Sequence, residues 1–201
     1  MKKFAFVDVQ NTETTALKVL KFMIDNERLF SFLKNDWNCE KVFFYPGIQR
    51  GDEERDEIFS RLLKTGAVVR PKYYLVYKNE DKIFSIECPK CNTKITQKVD
   101  MGYSWKCNCD VELTMDVLNL AQSDTEIILF TGDGDFELLI KDVIAKGGRV
   151  SIVSTAKRQQ KGFRYSTSRF STKLRNLTKE NGYPVKFIEL DNLKFRINKV
   201  A

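Results

Sequence analysis

Three short stretches of the chain carry aspartates beside the ends of predicted strands and helices. They contain Asp8 with Asn11, Asp110 with Asp116, and Asp133 with Asp135. Carboxylate oxygens are the ligands that Mg²⁺ and Mn²⁺ prefer in proteins. One or two such ions can orient a water molecule, help it lose a proton and stabilise the charge on a phosphodiester under attack. The three stretches therefore predict a divalent-cation site suited to phosphodiester hydrolysis.

Each aspartate also has a purely structural interpretation. Asp110 and Asp135 could cap helices, because Asp is favoured at the residue before a helix. Asp116 could be a solvated surface group. Asp8 and Asp133 are harder to explain in this way, because a carboxylate in or behind a buried apolar strand is costly unless it is paired or ligates a cation.

The chain contains no histidine among its 201 residues. This absence excludes Ser-His-Asp and Cys-His nucleophile systems, acid–base catalysis by imidazole, mixed cysteine–histidine zinc sites and the HExxH metalloprotease motif. Any chemistry must therefore use carboxylates, thiolates, lysines, hydroxyls or bound metals.

Four of the five cysteines form two close pairs, Cys88-Pro-Lys-Cys91 and Cys107-Asn-Cys109, separated by 15 residues. The first pair has zinc-knuckle spacing, and the second is one residue shorter than usual. Together they predict a structural Zn²⁺ site, because four thiolates leave no open coordination position. Four ordinary reduced thiols are the alternative. Since Cys109 directly precedes Asp110, a zinc ion there would fix the start of the helix that carries the second acidic stretch.

Positive charge is concentrated at the C-terminal end of the chain. Residues 141–201 hold 15 Lys and Arg against 4 Asp and Glu, a net charge of +11, whereas residues 1–140 carry a net charge of −4. The segment 157–175 has no acidic residue. Its candidate nucleic-acid contacts are Lys157, Arg158, Lys161, Arg164, Arg169 and Lys173, interleaved with Phe163, Tyr165 and Phe170. Basic side chains track phosphates and aromatic rings stack on unpaired bases, so we expect a nucleic-acid partner; a solvated loop is the alternative.

Strand and helix patterns alternate over most of the chain. We predict strands over residues 4–9, 41–45, 67–69, 126–131, 149–154 and 185–190, and helices over residues 12–33, 52–64, 111–121, 136–145 and near 168–180. Repeated strand–helix units favour an α/β fold, with a mostly parallel sheet covered by helices on both faces. Ligands bind beyond the carboxyl ends of the strands in such sheets, so we expect the acidic stretches to meet there.

The alternation stops in the middle of the chain. Residues 73–78 with 82–87, and 93–99 with 103–106, are predicted to form two hairpins. We therefore expect one α/β domain made of residues 1–69 and 108–201. Residues 70–107 would be an inserted zinc-ribbon-like pair of hairpins, with Cys109 completing the metal site.

The acidic stretches resemble the motif series of NYN domains of the LabA-like type, in the PIN-like nuclease superfamily. The matching blocks are Phe-Val-Asp8-Val-Gln-Asn11, Asp110-Val-Glu-Leu-Thr-Met-Asp116 and Thr-Gly-Asp133-Gly-Asp135-Phe. Their order and spacing agree, and the resemblance covers about residues 1–69 and 108–192. Gln10 stands where Gly or Asn is more usual, and the cysteine-containing insertion is not part of the ordinary pattern.

The resemblance implies metal-dependent ribonuclease activity. It matches Asp8, Asp116 and Asp133 to the core acidic positions that bind Mg²⁺ or Mn²⁺. Asp110 and Asp135 match further acidic positions and complete the site, and we expect Asp135 to bind the metal together with the core aspartates. Asn11 matches a residue that orients the first aspartate or the substrate.

We therefore expect a Mg²⁺- or Mn²⁺-dependent ribonuclease that hydrolyses RNA phosphodiester bonds and carries zinc as a structural metal. One alternative is a zinc-ribbon nucleic-acid-binding module without catalysis. A more distant one is a Toprim-like DNA-processing enzyme, because Asp133-Gly-Asp135 resembles its Asp-x-Asp motif. No segment approaches the roughly 20 apolar residues of a membrane helix and the N-terminal apolar run is too short for a signal peptide, so we expect a cytoplasmic protein with no membrane partner.

Overall fold

The computed structural model describes residues 1–161, 165–180 and 182–199, and gives the backbone but not the side chain at positions 161 and 165. The strands are β1 (Lys2–Asp8), β2 (Lys41–Tyr45), β3 (Gly47–Ile48), β4 (Val68–Val69), β5 (Lys72–Tyr73), β6 (Leu75–Lys78), β7 (Lys82–Glu87), β8 (Lys94–Val99), β9 (Tyr103–Lys106), β10 (Thr125–Phe130), β11 (Arg149–Ser154), β12 (Arg158–Lys161), β13 (Tyr165–Ser168) and β14 (Val185–Glu189). The α-helices are α1 (Val9–Thr15), α2 (Asn26–Asn35), α3 (Glu53–Lys64), α4 (Asp110–Leu120), α5 (Glu137–Ala145), α6 (Thr172–Leu177) and α7 (Lys194–Ile197).

Six strands form one parallel sheet in the order β14–β11–β10–β1–β2–β4. The chain starts in the middle with β1, builds β2 and β4 on one side, and then builds β10, β11 and β14 on the other. The direction of building thus reverses between β1 and β10, which pair from Lys2↔Thr125 to Val7↔Phe130. Open parallel sheets bind ligands at the carboxyl ends of the strands beside such a reversal. The predicted α/β fold with a mostly parallel sheet is confirmed.

Both faces of this sheet are buried under helices. Alternate residues of a strand point to opposite faces. Accordingly, Ala5 and Val7 of β1 belong to one apolar cluster, whereas Phe4 and Phe6 belong to another. Residues of α2, α3 and α7 join the first cluster, and residues of α4, α5 and α6 join the second. Burial on both faces explains why the central strands are almost continuously apolar in the sequence.

The helix predicted over residues 12–33 is two helices in the structure. After α1 the chain makes one π-helical turn, Ala16–Leu20, and leaves the helix at Lys21, whose φ of 60° is left-handed. The carboxylate of Asp25 then begins α2 by accepting the backbone N–H groups of Glu27 and Arg28, each at 3.0 Å. Apolar periodicity continues through this break, so the pattern alone does not locate it, whereas the capping aspartate does.

Residues 70–109, all of which the structure describes, form an arm that adds no strand to the central sheet. At its base β5 pairs in parallel with β3. Beyond it β6 pairs with β9 and β7 pairs with β8, both antiparallel. The predicted pairing of neighbouring strands, 73–78 with 82–87 and 93–99 with 103–106, is therefore wrong. The turn-type cluster at residues 79–81 does not reverse the chain. The N–H of Asn79 donates to the carbonyl of Gly102 at 2.9 Å, and this bond extends the β6–β9 pair towards the β7–β8 pair.

The basic segment that follows β11 contains a pair of strands. β12 and β13 pair antiparallel, from Arg158↔Ser168 to Lys161↔Tyr165, and α6 follows. Arg164 and Phe163 lie outside the described residues, as do the side chains at positions 161 and 165. Over the part of the chain that is described, no helix is both long and apolar enough to cross a bilayer.

Candidate functional site

Asp8 is the last residue of β1 and also caps α1. Its Oδ1 accepts the backbone N–H of Asn11 at 3.1 Å, and its Oδ2 accepts the hydroxyl of Thr131 at 3.3 Å. Burial raises the pKa of Asp8 to about 6, and repulsion from Asp110 and Asp133 adds to this rise, whereas the two hydrogen bonds oppose it. A nearby cation would favour the ionised carboxylate, as opposite charges do.

The glycine turn after β10 is tied to the start of α1. The Oδ1 of Asn11 accepts the N–H of Gly132 at 3.1 Å. The hydroxyl of Thr12 contacts both the Asp8 carbonyl at 2.6 Å and the Phe130 carbonyl at 3.1 Å. These contacts hold the ends of the two neighbouring strands together. Asn11 therefore positions the glycine turn in the structure.

Asp133 follows that turn and caps the short 3₁₀ helix Gly134–Phe136. Its Oδ1 accepts the N–H of Asp135 at 3.0 Å, while its own N–H donates to the Thr131 hydroxyl at 3.2 Å. The side chain of Asp135 is exposed to solvent. The hydroxyl of Thr131 thus links the two aspartates, because it donates to the Asp8 carboxylate and accepts the N–H of Asp133.

Asp110 reaches the same place from the other side, as the first residue of α4. Its N–H donates to Oδ1 of Asn108 at 2.7 Å. Burial raises the pKa of Asp110, and repulsion from Asp133, Asp135 and Glu112 adds to the increase. Burial is thus the larger cause of the raised pKa of both Asp8 and Asp110, and the charge of Asp133 contributes to both.

These side chains face one cavity of about 400 Å³ at the carboxyl ends of β1 and β10, which we call the acidic cavity. Its lining includes Asp8, Asn11, Tyr45, Cys107, Cys109, Asp110, Asp133 and Arg169. The structure thus brings one aspartate of each acidic stretch to the predicted edge of the sheet.

The carboxylates of the acidic cavity are suited to a hard divalent cation, although they do not form a closed cage. Nowhere in the described residues do three or more Asp, Glu or Cys side chains converge as a ready-made ligand group. Mg²⁺ is commonly held by one or two carboxylates, with waters and substrate phosphates completing its shell. Asp8 and Asp133, whose repulsion raises the pKa of Asp8, offer that kind of ligand set.

Asp116 does not line the acidic cavity. Its Oδ2 accepts the Tyr45 hydroxyl at 2.9 Å, and the Arg70 guanidinium donates to both carboxylate oxygens at 3.1 and 3.3 Å. Burial raises the pKa of Tyr45 and the Asp116 charge raises it further, so the phenol stays protonated and donates. Because Tyr45 itself lines the cavity, Asp116 contacts the wall of the site rather than its interior.

The structure does not bring the four paired cysteines together. Cys107 and Cys109 lie at the base of the arm and line the acidic cavity, with their sulfurs 4.0 Å apart. Cys88 and Cys91 follow the end of β7, so both strand pairs of the arm separate the two cysteine pairs along the ladder. Burial raises the pKa of Cys109 to about 12, and the neighbouring Cys107 adds to this.

The basic segment contributes Arg169 to the acidic cavity. Arg158 and Lys173 are exposed, and Lys157 donates to Oδ2 of Asp191 at 2.7 Å. Phe170 is only 3% exposed and packs against Phe187 with ring centres 4.6 Å apart, so it belongs to the core and cannot stack on a base. The expectation that Phe170 contacts nucleic acid is therefore wrong.

Two residues of the site, Asn108 and Tyr45, have no counterpart in the sequence motifs, and Thr131 lies in the third motif without a role assigned to it. Thr131 and Asn108 supply hydrogen bonds to the acidic loops, and Tyr45 forms part of the cavity wall. Tyr45 could have been predicted from the sequence, because it ends a predicted parallel strand and ligand sites form at such strand ends. It pairs with Asp8 in the register of β1 and β2.

A parallel α/β sheet with carboxylates gathered at the reversal of its strand order is the arrangement expected of a PIN-like nuclease. A family model, the NYN domain, matches residues 4–175. The chain therefore belongs to the NYN domain family, a family of nucleases. This membership leaves the Toprim-like alternative without support.

Two individual proteins resemble the chain over most of its length. The "Low amplitude and bright protein LabA" of Synechococcus elongatus is 26% identical over 151 residues, which are 74% of this chain and 72% of that protein. A solved protein of unknown function from Vibrio parahaemolyticus superposes with a TM-score of 0.58 at 21% identity, covering 94% of each chain. The first supports a LabA-like member of the family, and the second supports the fold.

Proposed function

We propose that this protein is a Mg²⁺- or Mn²⁺-dependent ribonuclease that hydrolyses RNA phosphodiester bonds in the acidic cavity. One observation carries the proposal: Asp8, Asp110 and Asp133 come from three separate segments and face the same cavity where the strand order reverses. A structural role alone does not require carboxylates to be crowded in this way, because burial and the charge of Asp133 both raise the pKa of Asp8 and that of Asp110.

The residues of the site divide into three roles in this proposal. Asp8 and Asp133 hold the cation, and Asp110 in the cavity and the exposed Asp135 beside it complete the negative field around it. A bound Mg²⁺ or Mn²⁺ ion would stabilise the charge on the phosphodiester and lower the pKa of a water. Asn11 fixes the glycine turn that carries Asp133.

Asp116 takes a different role from the one implied by family resemblance. To reach a cation it would have to leave both Tyr45 and Arg70. We assign it to positioning Tyr45, which faces the substrate from the cavity wall.

The substrate is held by basic groups around an acidic centre. Arg169 lines the cavity, and Arg158 and Lys173 are exposed on the same segment. Lys161 and Arg164 extend this set in the sequence. Cationic side chains offset the repulsion between substrate phosphates and the aspartates. RNA is the proposed nucleic acid because the motif series resembles that of ribonucleases.

The test is cleavage of end-labelled single-stranded RNA and of the matching DNA, with Mg²⁺, with Mn²⁺ and with EDTA. Asp133→Asn should lower kcat by at least about a hundredfold, since loss of a metal ligand removes several kcal/mol of charge stabilisation. The matched control is Asp124→Asn, an exposed aspartate outside the cavity, which should leave cleavage unchanged. Cleavage that resists both EDTA and Asp133→Asn would contradict the proposal.

A nucleic-acid-binding module without catalysis is the second candidate. It is favoured by the Arg70–Asp116 pair and by the lack, within the described residues, of a ready-made three-ligand metal group. RNA binding that is tight, indifferent to divalent cations and unaccompanied by cleavage would select this candidate.

We also propose that residues 1–69 and 108–201 form the nuclease domain and that residues 70–107 are an insertion. A structural zinc ion bound by Cys88, Cys91, Cys107 and Cys109 is proposed on sequence spacing alone, and it would require the two cysteine pairs to approach each other. Zinc content of the purified protein, measured by elemental analysis for wild type and Cys88→Ser, tests it. Equal zinc in both proteins, or none in wild type, would reject the four-cysteine site.

A further inference from the structure

A second groove opens beside the acidic cavity, at the base of the arm. It has a volume of about 450 Å³, which lies within the range of roughly 300–1,000 Å³ typical of small-ligand sites. Gln10, Thr14 and Gly47 line both spaces. The groove and the acidic cavity are therefore adjoining parts of one depression, and its remaining wall includes Tyr74 and Trp105 of the arm.

Tyr74 is fixed in place as one side of this groove. Its N–H donates to the carbonyl of Ile48 at 3.0 Å, beside the short β3–β5 pair. Its ring lies against Gly47, where an added Cβ would meet the ring at 2.8 Å. Glycine is thus required at position 47 for the ring to lie against the backbone. Burial raises the pKa of Tyr74, so it remains a neutral phenol.

Trp105 presents the largest aromatic surface of the groove. It lies on β9, pairs with Val76 across the ladder, and is 52% exposed. An indole is normally buried by its own fold, because it carries a large apolar area. About half of the surface of Trp105 instead remains exposed, in the groove that adjoins the acidic cavity.

The polar lining of the groove combines exposed amides with three charged side chains, Glu13, Asp52 and Arg55. Arg55 pairs with Glu13 at 3.0 Å and donates to the Gly47 carbonyl at 3.0 Å, and Asp52 accepts the backbone N–H of Arg55 at 3.1 Å. Gln10 and Gln49 are exposed amides. Neutral amides beside an aromatic plane suit a nucleobase, whose faces stack and whose edges form hydrogen bonds.

We propose that this groove is a base subsite. It takes one unpaired nucleobase from the strand whose phosphodiester occupies the acidic cavity, with the base stacked on Trp105 and its edge facing Gln10 and Gln49. This assignment rests on the proposed nuclease function, because the position of the base is defined relative to the phosphate. A base held in a duplex is stacked between its neighbours and cannot enter, so the subsite selects single-stranded RNA.

The first experiment moves one abasic position along a single-stranded RNA of mixed sequence and measures kcat/KM for the 201-residue protein. The kcat/KM of wild type should fall about tenfold when the abasic position falls in the subsite. The kcat/KM of Trp105→Ala should already be about tenfold lower than that of wild type on the intact RNA, and an abasic site at that position should not lower it further. Trp105→Phe should restore most of the rate, because a phenyl ring still stacks.

Tyr103→Ala is the matched control, since Tyr103 lies two residues away on β9, is 63% exposed and does not line the groove. It should behave as wild type at every abasic position. Equal losses for Trp105→Ala and Tyr103→Ala, or an abasic loss that persists undiminished in Trp105→Ala, would overturn the subsite while leaving the nuclease intact.

A second readout does not depend on cleavage. Trp37→Phe leaves Trp105 as the single tryptophan of the chain. Titration of this variant with the same RNA in EDTA should quench its fluorescence, and the abasic RNA should quench it less. Quenching without cleavage under any metal would support the subsite and contradict the proposed function; no quenching by intact RNA would overturn the subsite.

Discussion

The hydroxyl of Tyr45 donates a hydrogen bond of 2.9 Å to Oδ2 of Asp116. Tyr45 ends β2 and lines the acidic cavity, whereas Asp116 lies on α4 and is also contacted by Arg70. The pair connects a helix on one face of the sheet to the cavity wall. It also explains why a carboxylate of the motif series lies next to the site without facing into it.

The first prediction concerns what Asp116 contributes. Asp116→Ala should lower the free energy of unfolding by about 2 kcal/mol, because the buried Tyr45 hydroxyl loses its acceptor. Asp116→Asn should cost less, since an amide oxygen still accepts that bond and the partly exposed Arg70 pair is worth little. Urea denaturation of both variants measures these values.

Tyr45→Phe supplies the control for this prediction. If the hydroxyl causes the loss, adding Tyr45→Phe to Asp116→Ala should recover part of it, so that the two changes are not additive. A direct metal role predicts instead that Asp116→Asn abolishes cleavage while leaving stability unchanged. That pattern would return Asp116 to the metal ligands.

Much of the fold follows from the sequence because parallel strands buried on both faces are continuous apolar runs. The predicted bounds of β2 and β11 agree with the structure, as does the placement of Asp8 at a strand end. The break in the helix at Lys21 could not be predicted from apolar periodicity, because the periodicity continues across it. The second helix begins where Asp25 caps its first turn. The strand pairing of the arm fails for a related reason: the turn residues at 79–81 indicate a reversal, yet cross-strand contacts decide the register.

The site could be predicted only as far as its carboxylates. The motif series identifies Asp8, Asp110 and Asp133, and the sheet brings them together. The orientation of Asp116 depends on Tyr45 and Arg70, two residues far away in the sequence. Phe170 illustrates the opposite error, since its basic neighbours suggest a surface while its ring is in the core. Side-chain partners of this kind are set by tertiary packing, which a linear pattern does not contain.

The second prediction tests the close packing of the glycine turn. A Cβ at Gly132 would lie 2.1 Å from the carbonyl oxygen of Arg169, which is backbone and cannot move aside alone. Gly132→Ala should therefore cost about 3 kcal/mol of stability, at the upper end of ordinary overpacking. A Cβ at Gly134 meets the Ser171 hydroxyl at 2.7 Å, and this side chain can rotate at the cost of the hydrogen bond that it accepts from the Leu174 N–H. Gly134→Ala should cost about 1 kcal/mol.

Thermal and urea denaturation of the two glycine variants give this comparison directly. Gly132→Ala should also weaken RNA binding, because the displaced backbone carries Arg169 at the cavity. Equal stability of the two variants would show that the segment around Arg169 yields easily, contrary to the packing described.

The third prediction is a dependence of stability on pH through Asp8. Its pKa is about 6 in the folded protein against an ordinary value of 3.8, so the folded state holds the proton more tightly than the unfolded chain. The stabilisation from this proton is complete below about pH 4 and is lost as the pH rises through 6. The Asp8→Asn side chain is neutral at every pH, so this loss of stability does not occur, and its amide oxygen can still accept the Asn11 N–H.

In EDTA near neutral pH, Asp8→Asn should therefore be more stable than wild type by about 3 kcal/mol, and the difference should nearly vanish at about pH 4. Mg²⁺ should raise the melting temperature of wild type at neutral pH and affect the variant much less. A constant difference between the two proteins across this pH range would show that Asp8 is not destabilised by its surroundings.

The last prediction separates a phosphate contact from a basic residue engaged within the protein. Arg169 lines the acidic cavity, whereas Lys157 donates to Asp191 at 2.7 Å. Each phosphate contact to a single strand adds about 0.7 to the slope of log affinity against log salt concentration, because counterions are released. In the catalytically impaired Asp133→Asn background, Arg169→Ala should therefore reduce the slope for single-stranded RNA by about 0.7. Lys157→Ala should change it little, and equal changes in the two variants would show that net charge, rather than position, governs RNA binding.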